Sequence, residues 1–102
     1  MNLASDAPWL PYDPTWLVEL AKAQKPRKKW LHGALMQCTM AQAKTCCAPK
    51  TCGYYFIDAT NANQPGSPWQ YETTIWLDNE PDTLFVGLLI VKHRKVGGIE
   101  FI

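Results

Sequence analysis

The chain has few long apolar runs and little charge. Its most apolar stretch, Leu84-Phe85-Val86-Gly87-Leu88-Leu89-Ile90-Val91, is eight residues long. A helix crossing a bilayer needs about 20, so no membrane partner is expected. Charged residues make up 19% of the chain and the formal net charge is +1. A whole-molecule field that would draw it to nucleic acid or lipid is therefore missing. There is no phosphate loop, no dinucleotide fingerprint and no paired-carboxylate motif. These absences remove the common cofactor-binding signatures, and no cofactor is expected. They do not exclude an enzyme, whose residues can converge from distant positions. The opening Met1-Asn2-Leu3-Ala4-Ser5-Asp6 lacks a basic region followed by an apolar run, so no secretion signal is expected. A cytoplasmic protein with reduced thiols is the simplest consequence.

The cysteines also lack metal-ligand spacing. Structural zinc sites pair ligands two to four residues apart so that one turn presents both. Here Cys46 and Cys47 are adjacent, Cys38 and Cys52 stand apart, and His32 lies six residues before Cys38. Free thiols fit this spacing better than zinc, and a disulfide from Cys46 or Cys47 to Cys52 is the remaining arrangement. Asp78, Glu80 and Asp82 alternate as calcium ligands do, but the glycine and the distant bidentate glutamate are missing. No metal site is assigned.

What is present is a core. Apolar residues make up 47% of 102 residues, enough for one domain, 1–102, with residues 1–12 as a proline-rich arm. Within that arm, Trp9 and Leu10 are expected to lie against the core. Leu84 to Val91 is apolar on both faces, as an inner strand sheltered on two sides must be. Gly87 within it marks a bulge or a close approach to the backbone. His93-Arg94-Lys95 turns the chain, Gly97-Gly98 lends backbone freedom to the return strand, and the apolar ending at Ile102 is expected to be paired.

Asp13-Pro14 reads as a helix start, with Tyr12 and Leu17 at staple positions and Pro26 as the stop. Leu31, Ala34, Leu35, Cys38 and Ala41 follow helical spacing, which predicts a second helix over about 28–43. Gly33 and Thr39 count against it. Gly53 to Asp58 is aromatic and β-branched. In Trp69 to Leu77, Tyr71, Thr73, Ile75 and Leu77 share one face. The expectation is an α+β, two-layer domain. Its four-stranded, mainly antiparallel sheet spans about 53–58, 70–77, 83–92 and 96–102 as a meander, with helices at about 14–24 and 28–43 on one face.

Two candidate sites stand out. The loop from Asn61 to Trp69 gathers Asn61, Asn63, Gln64, Ser67 and Trp69 beside Asp58, which ends an apolar strand. Uncharged polar groups around an indole suit a small ligand or peptide, while Asn and Pro-Gly equally serve a long connection. Ten residues exceed what joins sheet neighbours. The second candidate is basic. Leu20 to Cys52 holds Lys22, Lys25, Arg27, Lys28, Lys29, Lys44 and Lys50 but no acid. Lys28, Lys29 and Trp30, with Arg94 from the hairpin turn, make a nucleic-acid contact conceivable. The near-zero net charge argues for a solvated helix start and against a nucleic-acid partner.

The stretch Asn61-Ala62-Asn63-Gln64-Pro65-Gly66-Ser67-Pro68-Trp69-Gln70-Tyr71-Glu72 and the tail Lys95-Val96-Gly97-Gly98-Ile99-Glu100-Phe101-Ile102 resemble a group of small uncharacterised bacterial proteins. That group shares an NANxPGSxWQ loop and a GGIEF-type ending. The likeness covers Gly53 to Ile102, and the Cys-rich Lys44–Cys52 segment departs from it. The resemblance implies carriage on mobile elements such as integron gene cassettes and assigns no residue a role. The functional expectation is a small non-enzymatic binding or interaction protein. It would self-associate through the sheet if residues 84–91 are covered on one face only. The alternatives are a small enzyme, with Asp58 in a cleft between loop 59–69 and turn 78–82, and an immunity-like partner of another protein.

Overall fold

The computed structural model describes residues 7–44, 53–79 and 84–101. Among them the chain forms two helices and one six-stranded antiparallel sheet. The order is β1 (Trp9–Pro11), α1 (Thr15–Lys22), α2 (Lys29–Met36), β2 (Met40–Ala43), β3 (Gly53–Tyr55), β4 (Tyr71–Asn79), β5 (Leu84–Val91) and β6 (Lys95–Phe101). The α+β class is as expected, but the sheet has six strands where the sequence predicted four.

Helix α1 starts as its sequence dictates. Asp13 Oδ1 accepts the Thr15 N–H at 3.0 Å and the Thr15 hydroxyl at 2.6 Å, and Pro14 is buried just ahead. Leu17, Val18 and Ala21 form its buried stripe. It ends at Lys22, ahead of the cis Lys25–Pro26 bond.

The second helix is shorter than predicted. It stops at Met36, where the Gln37 and Cys38 amides close the last turn on Ala34 and Leu35 carbonyls. Met40–Ala43 then pairs with β1 on one side and β3 on the other. Two ladders of backbone hydrogen bonds outweigh the helix preference of Met, Ala and Gln, which is worth only tenths of a kcal/mol per residue. Cys38, in the link after α2, and Ala41, within β2, are both buried in the helix-side core, so their helical spacing does not reflect a helix. The N-terminal arm is likewise a strand over Trp9–Pro11. Trp9 and Leu10 are exposed, contrary to expectation, and Tyr12 packs on the core instead.

The strands run β1-β2-β3-β6-β5-β4 across the sheet, so the expected meander holds only for β4, β5 and β6. Strand β3 ends at Tyr55 and pairs with β6, not β4. The connection from Phe56 to Gln70 is long because it carries the chain from β3, past β6 and β5, to the far edge. It crosses the face opposite the helices and packs there.

That crossing explains the apolar run in β5. Val86, Leu88 and Ile90 meet Leu17, Leu31 and Leu35 in one core, with Leu77, Val96 and Ile99. Leu89 and Val91 enter a second core with Tyr55, Ala59, Ala62 and Trp69. On the second face the chain covers Leu89 and Val91 itself, while Phe85, on that same face, stays 45% exposed, so the expected shelter on both sides does not reach the start of the strand. Beside Gly87 the expected close approach is made by the Trp76 indole; a Cβ on Gly87 would lie 2.7 Å from it. Ile102 and residues 45–52 and 80–83 lie outside the described residues, and with them the expectations for Cys46, Cys47, Cys52 and most of the 78–82 turn.

Candidate functional site

The crossing loop does more than cover the sheet. Between it and the strands lies a hollow of about 390 Å³. Tyr55, Thr74 and Leu89 floor it, Asn63, Trp69 and Tyr71 wall it, and Lys44 and Glu100 close one end. The loop is held by its own chemistry. Asn61 and Asn63 take left-handed backbone angles, φ 57° and 64°, which Asn tolerates better than most residues. Asn63 donates its amide to the Trp69 carbonyl at 2.8 Å and accepts the Tyr71 N–H on Oδ1 at 2.9 Å. Trp69, 2% exposed, stands edge-on to Tyr55 with ring centres 5.2 Å apart.

A bulge shapes the wall. The β4–β5 register slips between Tyr71 and Thr73. Tyr71 therefore leaves the face of Thr73, Ile75 and Leu77, where strict alternation had placed it. It turns to the hollow, where its hydroxyl lies 2.9 Å from that of Thr74. The end of the hollow joins the basic and acidic parts of the chain. Lys44 Nζ is 2.7 Å from Glu100 Oε1, both side chains being largely buried, and 5.7 Å from the Tyr55 ring centre.

Of the loop residues singled out in the sequence, Asn63 and Trp69 line this hollow. Ser67 lines a second one with Gln70, Lys92 and His93. Asn61 and Gln64 are exposed turn residues, joined by the Gln64 N–H donating to the Asn61 carbonyl at 3.0 Å. Asp58 is exposed and caps a turn, its Oδ1 accepting the Thr60 N–H at 2.8 Å. Hydrogen bonds from Thr60 hold its carboxyl below the usual range, the reverse of a tuned general base. Lys44, Tyr55, Tyr71, Thr74, Leu89 and Glu100 were not foreseen. The one signal in the sequence was Glu100, a lone acid in an apolar return strand.

The basic candidates are also brought together. Arg94 lies over the Trp30 ring at 5.5 Å, and Lys28 and Lys29 are exposed at the start of α2. Trp30 packs its body on the helix-side core. The guanidinium thus covers ring surface on which a base would have to stack.

Cys38 carries a free, buried thiol whose Sγ–H donates to the Ala34 carbonyl at 3.6 Å. Burial pushes this thiol up to about 12. Tyr12 is also pushed up to about 12 by burial, against the opposing hydrogen bond from the Trp16 indole. Both groups are neutral in the folded chain and ionise more readily once unfolded. Their contribution is complete below the free thiol's 9.0 and is lost as pH rises towards about 12. Urea midpoints should therefore be flat up to about pH 9 and fall above it; Cys38→Ala should flatten the first part of that fall. A fall starting near neutrality would contradict this.

Among the described residues, no three His, Cys, Asp or Glu side chains are grouped to hold a metal ion. No helix among them is long and apolar enough to cross a membrane. The fold and hollow define a class, an α+β domain with a six-stranded antiparallel sheet bearing a loop-walled concavity. No family model matches the chain, and neither the curated proteins nor the solved structures contain a significant match.

Proposed function

We propose that the protein is a small binding protein that does no chemistry, and that its ligand sits in the hollow on the sheet face opposite the helices. The observation that carries this reading is the meeting of Asn63 and Trp69, from the loop, with Tyr71, Thr74 and Leu89, from the sheet, around one concavity of about 390 Å³. That volume lies in the range of small-molecule sites, which combine apolar walls with a few fixed polar groups. The ligand chemistry follows from the lining. Aromatic and aliphatic walls favour a compact, flat, largely apolar molecule. The Lys44–Glu100 end favours a polar group on it that can both donate and accept.

A ligand-observed NMR screen of aromatic acids, amides and amino-substituted rings tests this. Hits are expected to shift the Trp69 indole N–H and the Asn63 side-chain amide. Thr74→Trp, which places an indole in the hollow from a strand position, should abolish them. Hits that leave those signals unmoved, or survive Thr74→Trp, would sink the proposal. The enzyme alternative has less support. Asp58 is an ordinary turn cap, and neither Asp58 nor Asp78 lines the hollow beside the loop.

A further inference from the structure

We infer that the ligand of the hollow is a free aromatic α-amino acid. Glu100 holds its ammonium, Lys44 holds its carboxylate, and its ring lies between the crossing loop and the sheet. This rests on the binding reading above and adds to it the head group that the charged end selects.

One row of residues across the sheet builds that end. Glu100 on β6 stands between two glycines, Gly87 on β5 and Gly53 on β3. Trp76 on β4 is the other partner of Gly87, and the Lys44 N–H donates to the Gly53 carbonyl at 2.9 Å. Neither glycine has room for a side chain. A Cβ on Gly87 would lie 2.7 Å from the Trp76 ring, and one on Gly53 would collide with the Ile99 carbonyl. Lys44 spans Gly53 to reach Glu100 at 2.7 Å, while the Trp76 indole fills the place over Gly87. The next row on this face holds Thr74 and Leu89, which pair and floor the hollow. The carboxylate therefore borders the space in which a ring would lie.

Charge decides the head group. Glu100 Oε1 accepts from Lys44, and no other described group bonds to this carboxylate, which can accept several donors at once. The two side chains are only 18% and 31% exposed, so salt screens them little. A ligand with a single charge meets both members of a pair 2.7 Å apart, and attraction by one is largely offset by repulsion from the other. An uncharged amide escapes the repulsion but forgoes charge-assisted hydrogen bonds, which are about twice as strong as neutral ones. A head with ammonium and carboxylate on one carbon sets each against its opposite and adds no net charge to the site. A peptide carries those two groups at opposite ends, so the free amino acid alone presents them together. The walls select the side chain. Trp69, Tyr71 and Leu89 offer aromatic and aliphatic surface, against which a ring packs edge-on or offset.

Titration calorimetry of the full chain reads the result. The probes are L-phenylalanine, phenylpropanoate, which lacks the ammonium, phenethylamine, which lacks the carboxylate, and the uncharged phenylpropanamide. Phenylalanine should bind about tenfold or more tightly than each of the others, the worth of one hydrogen bond between charged groups. The charge variants should then move the probes in opposite senses. Glu100→Gln should weaken phenylalanine and strengthen phenylpropanoate. Lys44→Gln should weaken phenylalanine and strengthen phenethylamine. A pair that only supported the fold would lower all the probes together, which overturns the inference. Thr74→Trp should abolish phenylalanine binding, and binding that survives it overturns the inference too. An amide or single-charge analogue that binds as tightly as phenylalanine, and shifts the Trp69 indole, also overturns it but leaves the hollow as a binding site. So does failure of phenylalanine, tyrosine and tryptophan to bind while other rings of the wider screen shift Trp69; only silence from every ring removes both readings. Should either charge variant not fold, the comparison of probes on the unaltered chain still decides.

Discussion

Replacing Trp69 with alanine is expected to cost about 3–5 kcal/mol of folding stability, the range for deleting a fully buried large aromatic. Trp69 is the largest side chain of the second core and 2% exposed. Its ring lies over Gly97 and Gly98 and against Tyr55. Without it Leu89 and Val91 lose most of their cover on the face that no helix shelters. The crossing loop also loses its anchor, since the Trp69 carbonyl accepts the Asn63 amide and its N–H donates to Ser67 Oγ at 3.1 Å. Urea denaturation should show a lower midpoint, and the loop amides from Ala59 to Gln70 should exchange faster than those of β5. Trp69→Phe should recover part of the loss, because a smaller ring still shields Val91. An alanine variant within about 1 kcal/mol of the parent would mean that the loop is not the cover of this face, since surface substitutions fall in that band.

The sequence made the inner strand legible and hid what covers it. Seven apolar residues around Gly87 left no solvent face to assign, so shelter on both sides was expected throughout; Val86 and Leu88 to Val91 have it, and Phe85 does not. The helices were visible as the first cover. The second could not be seen, because Ala59, Ala62 and Trp69 stand in a stretch of Asn, Pro-Gly and Ser-Pro that reads only as turns. Their burial depends on β3 and β4 lying three places apart in the sheet, with β6 and β5 between them, which no local pattern records. The same non-local cause hid β1 and β2. Trp9–Pro11 and Met40–Ala43 carry weak strand preferences and are strands only because each has a neighbour. At the hollow, Asn63 and Trp69 were found through their composition. Tyr71 was assigned to the wrong face because one bulge inverts alternation beyond it. Lys44 and Glu100 are 56 positions apart and meet only in the folded chain.

The glycines separate two effects that look alike in sequence, and the same substitution should act in opposite directions at two of them. Gly97-Gly98 reads as backbone freedom, but positive φ among glycines occurs at Gly66 only within the described residues. What these positions need is the lack of a side chain. A Cβ on Gly98 would stand 2.7 Å from the Tyr54 carbonyl oxygen, 3.2 Å from the Tyr55 ring and 3.3 Å from the Trp69 ring. The oxygen belongs to the neighbouring strand and cannot turn aside without parting β3 from β6. Gly98→Ala should therefore cost about 1–3 kcal/mol, as overpacking does. Gly33 lies exposed within α2 with nothing inside 4 Å of its missing Cβ. Gly33→Ala should add stability, up to about 1 kcal/mol, because alanine restricts the unfolded chain and suits a helix. Thermal and urea unfolding of both variants, side by side, reads the two signs directly. A neutral Gly98→Ala would mean that β3 and β6 can separate at no cost, and Trp69 would then have no fixed floor to pack on.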